Sequence, residues 1–167
     1  MKNKEGFVFF VMGVSGTGKS TIGKLLAADL GLPFFDGDDY HPKANIDKMA
    51  AGKPLNDKDR KNWLVKLNTL AVEHNKNGAV IACSALKKSY RTRLHNQLKN
   101  HFFIYLEGSF DLILERMGSR KDHFMPTELL NSQFDTLEVP DTTEAVIRVS
   151  IDTTPEQIIS EIKKQLK

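Results

Sequence analysis

The run Phe7–Met12 (FVFFVM) passes without a spacer into Gly13-Val14-Ser15-Gly16-Thr17-Gly18-Lys19-Ser20, and a helical pattern over Thr21–Leu30 follows at once. Few local sequences restrict a fold so strongly. An apolar strand must end at a glycine-rich turn, and a helix must start from that turn. The segment is a full match to G-x-x-x-x-G-K-[ST] in its strand–loop–helix context, the pattern of a phosphate-binding loop. The glycines let backbone N–H groups converge on phosphate oxygens, and the helix N-terminus adds partial positive charge. A nucleotide is therefore expected on Gly13, Ser15, Gly16, Thr17, Gly18, Lys19, Ser20 and Thr21, with Lys19 reaching the β- and γ-phosphates and Ser20 ligating Mg²⁺. A glycine-rich turn without a ligand is the competing reading.

Apolar runs resembling the first strand recur at Leu32–Phe35, Ala79–Cys83, Phe102–Leu106 and Val146–Ile151, separated by stretches with helical spacing. Continuous apolar strands alternating with helices predict a three-layer α/β fold: a five-stranded parallel sheet with helices on both faces. Asp57–Asn75 carries a one-sided stripe through Trp63, Leu64, Leu67, Leu70 and Ala71, a long helix packed on that sheet. Thr154-Pro155-Glu156-Gln157 combines a capping box with proline at the first helical position, so a terminal helix runs to about Lys164. No linker-like segment divides the 167 residues, and a chain this long buries roughly 70% of its unfolded surface, so one domain is expected. The polar, basic stretch Gly118–Pro126 has weak periodicity and reads as part of a lid spanning about residues 118–132.

The balance of 24 Lys and Arg against 21 Asp and Glu gives a formal charge of +3, too small and too evenly spread to mark a nucleic-acid channel. The single cysteine, Cys83, cannot form an internal disulfide, and no Cys/His cluster has metal-ligand spacing, so a reducing cytoplasm is the expected location. No secretion signal or membrane span is expected, because the apolar runs are too short.

A phosphate-binding loop leaves open whether the phosphoryl group goes to water, protein or a small molecule. The second apolar run ends in Asp36-Gly37-Asp38-Asp39, which places carboxylates at the carboxyl end of a parallel strand, where ligands of such sheets bind. One carboxylate could serve the metal and another could accept the proton of an attacking hydroxyl. A helix cap with a solvated acidic turn is the plainer alternative. Lys87, Lys88, Arg91 and Arg93 follow the third strand, and Arg116, Arg120 and Lys121 follow the fourth. Cations there suit the nonbridging phosphate oxygens and the carboxylate of a hydroxy-acid acceptor, although any single one could be a solvated surface charge.

Asp36-Gly37-Asp38 with His41-Pro42, Asn45, Lys48-Met49, Gly52, Pro54-Leu55, Asp57, Asp59-Arg60 and Trp63-Leu64 resembles the signature of the gluconate kinase family, relatives of the shikimate kinases. The likeness continues through Cys83-Ser84-Ala85-Leu86-Lys87, Tyr90-Arg91, Arg120, His123-Phe124, Leu129-Leu130, Ser132-Gln133 and Leu137-Glu138, covering roughly residues 7–151. The resemblance implies ATP- and Mg²⁺-dependent phosphorylation of D-gluconate at its 6-hydroxyl by a cytoplasmic homodimer. By analogy, Asp36 would hold magnesium through water and Asp38 would be the base on the reacting hydroxyl. Arg60 and Arg91, with His41, Lys48 and Lys87, would surround the sugar acid, Arg116 would lie beside the adenine and Arg120 on the transferring phosphate. The chain departs from the family pattern at Asn62, where proline is expected before Trp63. It departs again at Asp122, where a glycine usually precedes His123-Phe124, and there it adds negative charge to the lid. A kinase for shikimate or another aldonate, and a nucleotide-dependent switch acting on a protein partner, are the rival readings. Cys83 and Trp63 are expected in packing roles, and His74, His95 and His101 at the surface.

Overall fold

The computed structural model describes residues 6–118 and 127–167. Five strands, β1 (Phe7–Met12), β2 (Phe34–Asp36), β3 (Ala79–Ala82), β4 (Asn100–Glu107) and β5 (Val146–Ser150), form one parallel sheet in the order β2-β3-β1-β4-β5. The intervening helices are α1 (Lys19–Leu30), α2 (Lys43–Ala50), α3 (Asp57–Glu73), α4 (Lys88–Leu94), α5 (Phe110–Gly118), α6 (Thr127–Thr136) and α7 (Pro155–Leu166), with a short 3-10 turn at Gly37–Tyr40.

Central strand β1 explains the three layers. Its residues Val8–Met12 have no exposed surface, and successive side chains point to opposite faces. Phe9 and Val11 join Ile22 and Leu26 of α1 and Ile158 and Ile162 of α7 on one side. Val8, Phe10 and Met12 meet Trp63, Leu64 and Leu67 of α3 with Tyr90 and Leu94 of α4 on the other. Each such large side chain contributes about 1.5–3 kcal/mol on burial, which is why a strand with no polar face is stable only at the centre of the sheet.

Two local features set where the loops of the site begin. Gly31 closes α1 in a left-handed conformation (φ 68°), and Leu32 donates its N–H to the Ala27 carbonyl at 2.9 Å, a helix stop that delays β2 to Phe34. Inside α1, a Cβ on Gly23 would stand 2.4 Å from Phe34 Cε1, so the glycine lets the helix lie close against the first residue of β2. Because all strands run the same way, the segments after β1, β2 and β3 emerge at one edge of the sheet. Asn62 is an exposed residue inside α3, where asparagine keeps the backbone N–H that proline lacks.

Candidate active site

The loop between β1 and α1 is held by its own side chains. Thr17, almost fully buried, donates through Oγ1 to the Val14 carbonyl at 3.0 Å, and Lys19 Nζ donates to the same oxygen at 3.0 Å. Gly16 (φ 83°) presses on α5, where an added Cβ would lie 2.9 Å from Met117 Cγ. Gly18 (φ 92°) instead faces open space, with nothing within 4 Å of such a Cβ. It starts α1 with no side-chain cap and no acidic residue in the first turn, so the free amides of the helix end are available to an anion. Burial lowers the pKa of the Lys19 ammonium, opposed by the charges of Asp38 and Asp36.

The acidic segment is both cap and site. Asp36 accepts from Ser20 Oγ at 2.6 Å through Oδ2 and from the Asp38 amide at 3.0 Å through Oδ1, so it joins α1 to the 3-10 turn. Trp63 Nε1 donates to the Gly37 carbonyl at 2.7 Å, and a Cβ on Gly37 would stand 2.5 Å from the Ala82 carbonyl oxygen. Only glycine fits against the end of β3 here, and with the indole holding its carbonyl the turn presents the exposed Asp38 at the cavity wall. The plainer reading, a cap with an acidic turn, describes this segment, and the cap fixes where Asp38 stands on the cavity wall.

Two cavities meet there. One, of about 120 Å³, is walled by Ser15, Gly16, Gly18, Lys19, Ser20, Thr21, Asp36, Asp38 and Ala82. The other, of about 320 Å³, is lined by Ser15, Lys19, Asp38, His41, Arg60, Ser84, Ser132 and Gln133, with an apolar wall of Ile46, Met49, Pro54, Leu55, Trp63 and Leu129. Ser15, Lys19 and Asp38 belong to both, so a group leaving the first meets a group seated in the second beside a lysine and a carboxylate.

Arg60 supplies the buried cation of the larger cavity. Its Nη1 donates to the Leu55 carbonyl at 2.8 Å and to Tyr90 Oη at 3.1 Å, and its guanidinium lies 5.3 Å from the centroid of the Tyr90 ring. Tyr90 in turn donates to Asp57. His41 stacks on Trp63 with ring centroids 4.1 Å apart, and its Nδ1 lies 3.2 Å from Asn45 Nδ2. Nδ1 therefore accepts from the amide. Burial and the nearby Arg60 charge push the His41 pKa down to about 4.

His101, stacked at 4.3 Å on His95 near the start of β4, is also lowered to about 4 by burial and by His95. Both histidines are neutral in the fold while free histidine titrates near 6.5. As pH falls below that value the unfolded chain takes up protons that the folded chain refuses, so stability drops between about pH 6.5 and 4. Thermal midpoints across this range should fall, and replacing both histidines with Gln should flatten the profile.

Three cations expected around the sugar acid do not line the cavity. Lys48 pairs with Asp59 at 2.6 Å and ties α2 to the start of α3. Lys87 pairs with Asp57 at 3.0 Å. Arg91, 1% exposed, donates to Glu144 through Nε and Nη2, to the Ala85 carbonyl through Nη1 at 2.8 Å and to the Glu138 carbonyl through Nη2 at 2.9 Å. Ala85 has a left-handed backbone (φ 48°) uncommon for a non-glycine residue, and Arg91 holds its carbonyl. The neighbouring acids that claim these cations were not distinguishable in sequence from solvated ones. Arg116 Nη2 donates to the Ile151 carbonyl at 2.6 Å, beyond the end of β5. Arg120, with the stretch 119–126 of the expected lid, lies outside the described residues; positions 127–132 belong to α6. Cys83 is buried, and burial foremost pushes its thiol up to about 12, which suits packing and not nucleophilic attack.

Gln133, to which the family-like segment assigns no role, reaches the loop: its Oε1 accepts from the Ser15 amide at 2.7 Å and its Nε2 donates to Ser15 Oγ at 3.1 Å. Its position next to Ser132 in the downstream signature was the only signal.

A family model described as shikimate kinase matches residues 15–167. The chain is 44% identical to the thermoresistant gluconokinase of Escherichia coli K12, with 99% of this chain and 96% of that one covered, and 46% identical to a gluconokinase of Gluconobacter oxydans, with 91% and 86% covered. Among solved structures, a gluconokinase from Sinorhizobium meliloti superposes with a TM-score of 0.88 at 39% identity over 95% of this chain and 90% of that one. The shikimate kinase of Aquifex aeolicus, at 18% identity and a TM-score of 0.66 over 95% of each chain, shares the fold. With a phosphate-binding loop opening into a second, larger cavity, and with likeness of this extent, the chain belongs to the gluconokinase family of small P-loop kinases.

Proposed function

We propose that this kinase transfers the γ-phosphoryl group of ATP to the 6-hydroxyl of D-gluconate, giving 6-phospho-D-gluconate and ADP. The observation that carries the proposal is the shared wall of Ser15, Lys19 and Asp38 between the two cavities. The triphosphate tail takes the α1 terminus and the loop amides other than those of Gly13 and Ser15, which donate to the Ser84 carbonyl and to Gln133. Gluconate takes the larger cavity, its carboxylate directed to Arg60 and its terminal alcohol to Asp38. Asp38 accepts the proton as the alcohol oxygen bonds to γ-phosphorus, and the bond from γ-phosphorus to the bridging oxygen breaks to release ADP. A weak base suffices because such transition states are loose, and Lys19 neutralises charge on the transferring oxygens.

Ser20 and Asp36 are hard oxygen donors 2.6 Å apart, and among the described residues no group of three or more His, Cys, Asp or Glu is placed to hold a metal ion by itself. That set fits Mg²⁺, which favours one or two protein oxygens together with water and phosphate. Bound with ATP, it supplies neutralisation of β- and γ-oxygen charge. The proposal keeps Asp38, His41 and Arg60 as acceptor contacts, with Arg116 beside the adenine, Arg120 on the phosphate, and Lys48 and Lys87 setting the charge around the rim. Arg91 becomes a support for the Ala85 turn. A cytoplasmic homodimer rests on the family resemblance, and sedimentation tests the dimer.

ADP release across gluconate, other aldonates and shikimate tests the acceptor. Gluconate should support the highest kcat/KM, by at least tenfold over shikimate, whose ring carries no extended chain to span from Arg60 to Asp38; equal rates would refute the assignment.

A further inference from the structure

The amide of Gln133 makes both of its loop contacts with a single residue, Ser15, at the seam of the two cavities. Its orientation is fixed by chemistry: the Ser15 backbone N–H can only donate, so Oε1 must face it, which turns Nε2 toward Ser15 Oγ. A hydroxyl has one proton and two acceptor sites. With one acceptor site filled by Nε2–H, the Ser15 O–H proton is directed away from Gln133. Lys19 and Asp38 share the walls of both cavities with this serine.

We propose that Gln133 is a positioning residue for phosphoryl transfer: by donating to Ser15 Oγ it makes the serine hydroxyl a hydrogen-bond donor toward the oxygen atoms at the seam, and by accepting the Ser15 N–H it fixes that hydroxyl relative to Lys19 and Asp38. The inference rests on the proposed transfer site and adds to it a residue on α6, 118 positions away from the loop it orients. Neither contact is needed for the hydrophobic core. Gln133 is half-buried at the cavity wall, whereas its neighbour Leu130 is fully buried among the core residues.

The variants separate orientation from simple docking. Gln133→Met keeps length and removes both hydrogen bonds. Gln133→Glu can still accept the Ser15 N–H but cannot donate to Oγ. Ser15→Ala keeps the backbone N–H contact and removes the hydroxyl. Each should lower kcat with gluconate roughly ten- to hundredfold, with KM for ATP and for gluconate within about threefold and the thermal midpoint nearly unchanged. Gln133→Met combined with Ser15→Ala should be no slower than about the worse single variant, because both act through one hydroxyl. Wild-type kcat in Gln133→Met, or losses that multiply in the double variant, would overturn the inference. Lys19→Ala and Asp38→Asn run in the same assay keep the two levels distinct: if they lose transfer while Gln133→Met does not, the site stands and the positioning role falls, whereas full activity in them removes the site itself.

Discussion

Lys19→Ala is expected to reduce phosphoryl transfer by on the order of 10³-fold or more, below detection in an ordinary coupled assay. Lys19 is the cation shared by the phosphate cradle and the acceptor cavity, and its Nζ is held 3.0 Å from the Val14 carbonyl at the base of the loop. Alanine removes the positive charge at the seam and one of the two donors to that carbonyl. The loop is otherwise supported by Thr17 on the same oxygen and by Gly16 against α5, so the fold should survive. A thermal midpoint close to wild type, with activity lost, separates chemistry from misfolding. Retention of more than about a tenth of the activity would show that the charge at the seam is not used in transfer.

Asp38→Asn is expected to bind ATP with near-normal affinity and lose on the order of 10²–10⁴ in turnover. The substitution keeps shape and removes the carboxylate proposed to accept the alcohol proton. The backbone N–H bond from Asp38 to Asp36 and the clamp of Trp63 on Gly37 do not depend on the side-chain charge, so the turn should remain in place. The measurement is nucleotide binding by calorimetry alongside kcat. Wild-type-like turnover would remove Asp38 as the base, and loss of ATP affinity in proportion to turnover would reassign it to nucleotide binding.

The parts of this structure most legible in sequence are those where one local rule acts alone. β1 matches FVFFVM residue for residue because a strand buried on both faces has to be continuously apolar. The capping boxes at Asn56 with Asp59 and Thr154 with Gln157 fix the starts of α3 and α7, and the second of these was readable in advance. Strand β2 was placed two residues early because Leu32 is apolar, yet it serves the closure of α1, while charged Asp36 pairs in register with Ala82. Strand β4 extends back to Asn100 and His101 because they pair with Phe7 and Val8, a tertiary effect that no local pattern contains.

At the site, the convergence of the loop residues and Asp38 on one cavity was legible because a glycine-rich turn after β1 and carboxylates at the end of β2 lie at the same edge of a parallel sheet. Cations were not. Lys48, Lys87 and Arg91 lie within the family-like segments, but each faces a carboxylate from another part of the chain, and 11, 30 and 53 residues separate those pairs. Tyr90 and Gln133 escaped assignment for the same reason, since what they support, Arg60 and Ser15, is defined only once the helices pack against the sheet.

The most direct test of the shared seam follows the phosphorus atom. Purified protein with γ-labelled ATP, Mg²⁺ and gluconate should move the label onto the terminal oxygen of the sugar acid, with one ADP formed for each phosphate transferred. Label appearing only as inorganic phosphate, at a rate indifferent to gluconate, would contradict the account.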